Sequence, residues 1–356
     1  MGERRRAKFW GALLLLGSVL GGCAAPVTLR EEPPATAAVA ASPASLPAPT
    51  VHTSSGVVAR DHAFVIYRTA PGDTYRSLAQ RFLGDMDRAW EIEEFRDNGN
   101  LAPGSEVVIP LVPPNPVGVY PDGYQTVPIL CYHRFGDKQA KMVVSPEVFA
   151  AQMAYLAEHG YRVVTLSAIA EFLAGRRALP RKAVAITMDD GYRSNYQYAY
   201  PELKRHGFPA TIFLYTDFLG GGAALRAEEL REMVASGLVD IQPHSKAHTN
   251  LALPTAEEDG ASYAQRLEQE IVGSAAHIRQ LLDIPIHTFA YPYGDTDRQV
   301  IALLDTAGYR LGATVQSGGN PAFAPPFLLR RTMVYGGDDL ATFRENLDIF
   351  HRVPLQ

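Results

Sequence analysis

From Val127 to the C-terminus, short apolar runs alternate with longer amphipathic stretches, and this alternation limits the fold more than any other feature of the chain. The short runs read as strands: Val127–Tyr132, Tyr161–Val164, Ala183–Met188, Ala210–Tyr215, Val239–Pro243, His287–Tyr291, Arg310–Thr314 and Leu328–Val334. The stretches between them carry helical periodicity: Pro146–His159 behind a Ser145 cap, Ser167–Ala174, Ser194–His206, Ala227–Ser236, Ala261–Asp283, Asp297–Ala307 and Asp339–Phe350. Strand-then-helix order sustained over about 230 residues predicts an α/β domain with a parallel sheet. The most economical closure is a distorted (β/α) barrel of seven or eight strands. Chemistry then belongs in the loops that follow the strand C-termini.

Ahead of this region the chain changes character three times. Residues 1–22 combine a cationic front, Arg4, Arg5, Arg6 and Lys8, with an apolar run from Phe9 to Leu20 that is short for a membrane span. The run ends in Leu20-Gly21-Gly22-Cys23, which resembles a bacterial lipoprotein signal. That resemblance implies cleavage before Cys23, lipidation of Cys23 and export to the cell envelope. In a Gram-negative cell this means the outer membrane or the periplasmic face, and Ala24 after the cysteine is compatible with the outer membrane. Residues 23–61 are rich in Ala, Pro, Ser and Thr and read as a tether, with too few large apolar side chains to offset the entropy of ordering. Nothing in a formal net charge of −5 recommends a nucleic-acid binder, whose phosphate contacts need a basic face, and no nucleic-acid partner is expected. Removing residues 1–22 makes the remainder more acidic still, because four cations leave with one anion, Glu3. Two cysteines cannot build a disulfide scaffold, so Cys131 is expected as a lone buried thiol.

Residues 62–112 form a small α+β unit. A strand (Phe64–Tyr67) leads to a Pro71-Gly72-Asp73-Thr74 turn and cap, then to helical patterns over Tyr75–Phe82 and Arg88–Phe95, and a second strand (Glu106–Pro110) follows Pro103-Gly104. The Pro-Gly-Asp-Thr opening, the Ser77-Leu78-Ala79 helix and the closing strand resemble a LysM module. The resemblance implies binding to N-acetylglucosamine-containing glycans such as peptidoglycan or chitin. Pro113-Pro114-Asn115-Pro116 then marks a linker, residues 113–126, before the alternating domain, residues 127–356.

The strand ends of that domain give a short polar list: His133 after the first, Asp189-Asp190-Gly191 after the third, His244 and His248 after the fifth, and Tyr291-Pro292-Tyr293-Gly294-Asp295 after the sixth. Two imidazoles four residues apart plus a distant carboxylate match the donor set of an open catalytic zinc site. Adjacent residues on an extended strand point opposite ways, so one aspartate of the pair suits the metal and the other a general base.

In order and spacing, Thr187-Met188-Asp189-Asp190-Gly191, His244-Ser245-Lys246-Ala247-His248 and Phe289-Ala290-Tyr291-Pro292-Tyr293-Gly294 resemble the successive motifs of the polysaccharide deacetylases. These are the NodB-homology enzymes of carbohydrate esterase family 4. The resemblance implies metal-dependent removal of acetyl groups from N-acetylated sugars. It assigns Asp189 as general base, and Asp190, His244 and His248 as ligands of a divalent metal, zinc first, with cobalt, nickel or ferrous iron as alternatives. It places Tyr293 where a backbone N–H stabilises the oxyanion, and Tyr291 and Tyr293 beside the substrate. The family's base-orienting arginine is replaced here by Ala290, and its late Leu-x-His general acid is missing. The Phe-Ala-Tyr-Pro-Tyr-Gly form and the Tyr132-His133 strand end resemble the branch of poly-N-acetylglucosamine deacetylases. His133 is therefore expected as an active-site residue and general acid, and Arg331 as a spatial substitute for the missing arginine. The partners expected are a GlcNAc-containing polysaccharide, peptidoglycan through the LysM-like unit and the membrane through Cys23. Deacetylation of exopolysaccharide or O-acetylated xylan, and a non-catalytic glycan-binding lipoprotein, are the rival readings.

Overall fold

The computed structural model describes residues 55–94, 101–113, 115–138 and 140–353. The expected signal, Cys23 and most of the tether lie outside them.

In the small module, β1 (Gly56–Arg60), β2 (Phe64–Arg68) and β3 (Glu106–Pro110) form an antiparallel sheet, with β2 in the centre. Helices α1 (Tyr75–Leu83) and α2 (Ala89–Glu93) cover it. Alternation along β2 turns Val65 and Tyr67 inward onto Leu78, Ala79, Ile92, Val107 and Ile109. Thr74 caps α1, accepting from the Ser77 N–H at 3.0 Å while Ser77 Oγ accepts from the Thr74 N–H at 2.9 Å. The tether was expected to run to residue 61, but its last residues pair as β1.

The linker expected at 113–126 is also structured. Strands β4 (Val119–Tyr120) and β5 (Gly123–Gln125) form a hairpin, and Gln125 donates to the Pro180 carbonyl at 2.6 Å. The reading by composition missed this because prolines bound the segment on one side only.

The large domain is built on parallel strands β6 (Val127–Tyr132), β7 (Ala183–Met188), β8 (Ala210–Leu214) and β9 (Val239–Pro243), paired in that order. A second parallel pair, β10 (Thr288–Ala290) and β11 (Leu311–Ala313), continues the curve. Leu329 bridges to Ala313, and a few residues on, β12 (Thr332–Met333) pairs with β6. Backbone bonds thus link every neighbour in the ring except β9 and β10, so the expected barrel is distorted and is not closed by backbone pairing at that seam. The run expected at Tyr161–Val164 forms only Arg162–Val163, which pairs with the first residues of β7 off the main path.

Helices α3 (Pro146–Glu158), α4 (Leu166–Leu173), α5 (Tyr200–His206), α6 (Ala227–Ala235), α7 (Gly260–Glu268), α8 (Ser274–Leu282), α9 (Arg298–Thr306) and α10 (Leu340–Glu345) follow the expected stretches, with three changes. A wide π-type turn at Asn195–Ala199 precedes α5, whose Pro201 lacks an N–H for regular helical bonding. The long helix expected at 261–283 divides into α7 and α8 around a second such turn, Gln269–Gly273. The last helix ends at Glu345, and the chain returns as β13 (Phe350–Arg352) to pair with β5.

Two apolar clusters divide the domain. Val127, Ile129, Ala185, Phe213, Ala290, Ala313 and Leu329 pack in one; Leu130, Tyr132, Ile186, Ile212, Ile241 and Phe289 pack with the helices in the other. Alternate residues of each strand therefore face opposite sides, which decides which side chains meet at the C-terminal mouth.

Candidate active site

The parity that buries Ile129 and Ala185 in the inner cluster carries on up the strands to Cys131, His133, Thr187 and Asp189, and on facing strands to His244 and Arg331. Asp189, His244 and Arg331 are buried at 2% exposure or less. Arg330 has the opposite parity; it is exposed, with Nη1 donating to the Ser317 carbonyl.

Asp189 and Arg331, 142 residues apart, form a bidentate pair: Nη1 to Oδ1 at 2.6 Å and Nη2 to Oδ2 at 2.8 Å. Arg331 Nε donates to the Thr314 carbonyl at 2.9 Å and Nη1 also reaches Thr187 Oγ1 at 3.3 Å, so every nitrogen of the buried cation is engaged. Such a pair survives burial only with this completeness, because taking two charges out of water costs several kcal/mol, roughly, per ion. Burial by itself pushes the Asp189 carboxyl up. The Arg331 guanidinium, helped by the His244 and His133 imidazoles, outweighs it and holds the group below the ordinary carboxylate range. Arg331, expected to stand in for the missing arginine, thus lies against Asp189. Cys131 is fully buried as expected, with a partner sequence reading did not supply: Sγ lies 3.5 Å from Asp189 Oδ2.

Asp190 turns the other way. Its Oδ1 lies 3.8 Å from His244 Nε2 and 3.4 Å from His248 Nε2, and these three groups could hold one metal ion. The donor chemistry fits a zinc-type ion. His244 Nδ1 is 2.8 Å from the Ala290 carbonyl, so that nitrogen carries the proton and Nε2 keeps its lone pair. Burial lowers the pKa of His248 and brings that of His244 down to about 4, favouring the neutral imidazole a metal needs. Burial, then the Asp189 charge, push Asp190 up to about 6. A second group, Cys131, His133 and Asp189, also converges. It is a poorer metal site, because Asp189 is already neutralised by Arg331 and burial pushes the Cys131 thiol well up.

The loop carrying the two histidines is fixed from a distance. Glu270, buried in the π-type turn between α7 and α8, accepts the Lys246 and Ala247 N–H groups at 2.8 and 2.9 Å, and Ser245 Oγ accepts the His248 N–H at 2.9 Å. Sequence reasoning missed Glu270, although an acid on the apolar stripe with Leu267, Ile271 and Ser274 is a signal of this kind. Left-handed backbone is concentrated here. Asp190, Ser245, His248 and Tyr293 have positive φ, leaving only Asp283 elsewhere among the described non-glycine residues. Strain of this kind is retained where surrounding structure over-determines it, commonly at sites that need unusual aim.

Tyr293, at φ 62°, presents its backbone on the loop after β10, with its ring 61% exposed and 4.8 Å from the His248 ring. The loop is pinned by Gly294, where a Cβ would lie 2.5 Å from Val315 Cγ2. Tyr291 does not meet the expectation of substrate contact. Its side chain is fully buried and its hydroxyl donates to the Phe327 carbonyl at 2.9 Å, above Gly312, whose missing Cβ leaves room for it. Outward parity on β10, shared with Phe289, explains this. His133 stands at the end of β6, half-buried, beside Cys131 and Asp189, and its Nδ1 is buried without a hydrogen-bond partner. Exposed or half-buried aromatics Tyr192, Tyr215, Phe218 and Tyr293 flank the mouth around His248.

Residues 176–312 match the family model described as polysaccharide deacetylase. The polysaccharide deacetylase homologue YxkH of Bacillus subtilis is 29% identical over 211 residues, covering 59% of this chain and 72% of that protein. The poly-beta-1,6-N-acetyl-D-glucosamine N-deacetylase of Escherichia coli K12 is 27% identical over 226 residues; the match covers 53% of this chain and spans about a third, 34%, of that longer protein. Among solved structures, IcaB from Ammonifex degensii is 28% identical with a TM-score of 0.55, covering 63% of this chain and 97% of that one. The family model, the relatives and the shared fold agree: this chain is similar to the polysaccharide deacetylases, hydrolases of the NodB-homology, carbohydrate esterase family 4 type.

Proposed function

We propose that the protein removes N-acetyl groups from a β-linked polymer of N-acetylglucosamine, releasing acetate and leaving a free amine on the sugar. The observation that carries this reading is the division of the Asp189-Asp190 pair: one carboxylate locked to Arg331, the other facing His244 and His248. The names of the Escherichia coli relative and of the similar Staphylococcus aureus proteins support the poly-N-acetylglucosamine class.

Asp190, His244 and His248 would hold the metal. A divalent ion there supplies acidity for an attacking water and polarisation of the acetyl carbonyl. Asp189 stays ionised because Arg331 holds it so, and its fixed plane is ready to accept the water's proton. The same pairing weakens it as a base, so its task is to receive a proton from an already acidified water. The Tyr293 N–H donates to the oxygen that gains charge as the carbonyl carbon becomes tetrahedral. His133, beside Asp189, delivers a proton to the departing sugar nitrogen as the C–N bond breaks.

In the whole chain, we read the small module as LysM-like, engaging peptidoglycan, and Cys23 as the acylated anchor of an exported envelope lipoprotein. The fold of β1–β3 with α1 and α2, and the Thr74 cap after Pro-Gly-Asp, support the first of these readings.

The deciding experiment measures bound metal and acetate release with poly-N-acetylglucosamine, peptidoglycan and acetylxylan side by side. Zinc at one equivalent and fastest release from the first substrate is expected. Absence of both metal and acetate sinks the reading, and preference for acetylxylan moves it to O-deacetylation. A Cys23→Ser variant should move the protein from the membrane fraction to the soluble one; unchanged sedimentation removes the lipid anchor.

A further inference from the structure

The one seam of the ring without backbone pairing lies between β9, which leads into His244 and His248, and β10, which leads into Tyr293. The side chain of Gln242 occupies it. Gln242 is fully buried, and its Oε1 accepts the N–H groups of His287 at 2.9 Å and Thr288 at 3.0 Å. Its Nε2 donates to the Pro285 carbonyl at 3.1 Å and to Asp240 Oδ1 at 3.0 Å. All four bonding positions of the amide are used, and the two backbone N–H groups fix its orientation because they can only donate. A side-chain amide here does the work of a missing peptide unit in the ladder. Two residues further along the strand, and one layer nearer the mouth, His244 Nδ1 makes the next rung, to the Ala290 carbonyl.

We infer that Gln242 is a positioning residue for catalysis: by clasping β9 to β10 below the His244–Ala290 contact, it fixes the distance between the metal-donor loop and the Tyr293 N–H. This rests on the functional reading above. Without the clasp, two N–H groups lose their acceptor inside a dry interior, and what is left between the strands at that level is the longer contact of His287 Nε2 with Asp240 Oδ2, at 3.8 Å. The predicted result is a relative shift of two loops that must converge on one acetyl group, and misplacement on the order of 1 Å in such a site costs up to about 100-fold.

The test uses Gln242→Leu, which keeps the volume and loses every bond, and Gln242→Glu, which keeps the acceptor and loses both donors. Leu267→Ala in the α7 core serves as a control for loss of stability alone. Zinc affinity of the metal-free protein is read by chelator competition without substrate, and kcat and KM are read at saturating zinc. For Gln242→Leu, zinc affinity should fall about tenfold, as for supporting residues around metal sites. Its kcat should also fall about tenfold with KM within about twofold, and Gln242→Glu should fall between it and wild type. Leu267→Ala should lower the melting temperature and move neither zinc affinity nor kcat. Wild-type zinc affinity and kcat in both Gln242 variants overturn the inference, as does the same pattern in Leu267→Ala. If Gln242→Leu does not fold, Gln242→Glu alone decides by the same two readouts. A wild-type protein that binds no zinc and releases no acetate refutes the functional reading instead.

Discussion

Two arginine–carboxylate pairs, one in each region of the molecule, are almost identical in geometry and opposite in origin. In the small module, Arg88 Nε and Nη2 meet Glu91 at 2.7 Å each, three residues apart within one turn. In the barrel, Arg331 meets Asp189 at 2.6 and 2.8 Å across 142 residues. The first pair needs only a helical turn. The second needs the whole barrel, because its partners arrive just after β7 and just before β12 and meet only when the ring has formed. Arg88 is also partly exposed above a buried Glu91, so water can replace the cation, whereas Arg331 is as buried as the carboxylate it holds. The same contact is thus local architecture in one place and a product of topology in the other.

The most severe way to test this contrast is to neutralise the barrel carboxylate. Asp189→Asn should lower acetate release by about a thousandfold, within the range expected for losing a general base, while bound metal stays near wild type. Equal loss of metal in Asp189→Asn and Asp190→Asn would erase the division between the two aspartates.

Removing each cation comes next. Arg331→Met leaves a carboxylate charge in a dry interior and should cost about 3–5 kcal/mol in urea unfolding. Arg88→Met should cost about 1 kcal/mol, because solvent takes the cation's place at a partly exposed turn. It should also leave turnover of soluble oligosaccharide unchanged. Similar losses from both substitutions would break the comparison.

Smaller effects sharpen it. His133→Ala should lower kcat about a hundredfold with metal retained, a general-acid effect; full activity removes His133 from the chemistry. Tyr293→Phe should change kcat less than about threefold, since the donor assigned there is the backbone N–H. A larger loss would move the role to the hydroxyl.

The contrast also explains what was legible in the sequence. The strands carrying the site were visible because each is a continuous apolar run, and Val127–Tyr132, Ala183–Met188 and Val239–Pro243 form with the expected limits. Asp190, His244 and His248 were visible because two imidazoles at a fixed spacing and a carboxylate after a strand carry chemistry in their identities. Tyr291 was misread because motif position does not fix parity, and only the pairing of β10 with β11 turns it away from the mouth. Glu270 and Gln242 act through bonds across 24 and 45 residues, which no local pattern encodes. The strands of the former linker were hidden because one of their partners is the far end of the chain.

That Asp189 depends on Arg331 has a consequence in time as well as in space. Ribosomes make chains from the N-terminus, so the metal donors and both aspartates exist before the arginine that completes them. A nascent or truncated chain ending between residues 294 and 331 holds Asp190, His244 and His248 and lacks the cation that fixes Asp189. On the function proposed, competence for hydrolysis therefore waits for residue 331, and a stop codon between Gly294 and Arg331 yields a protein that carries every motif and is nonetheless mute.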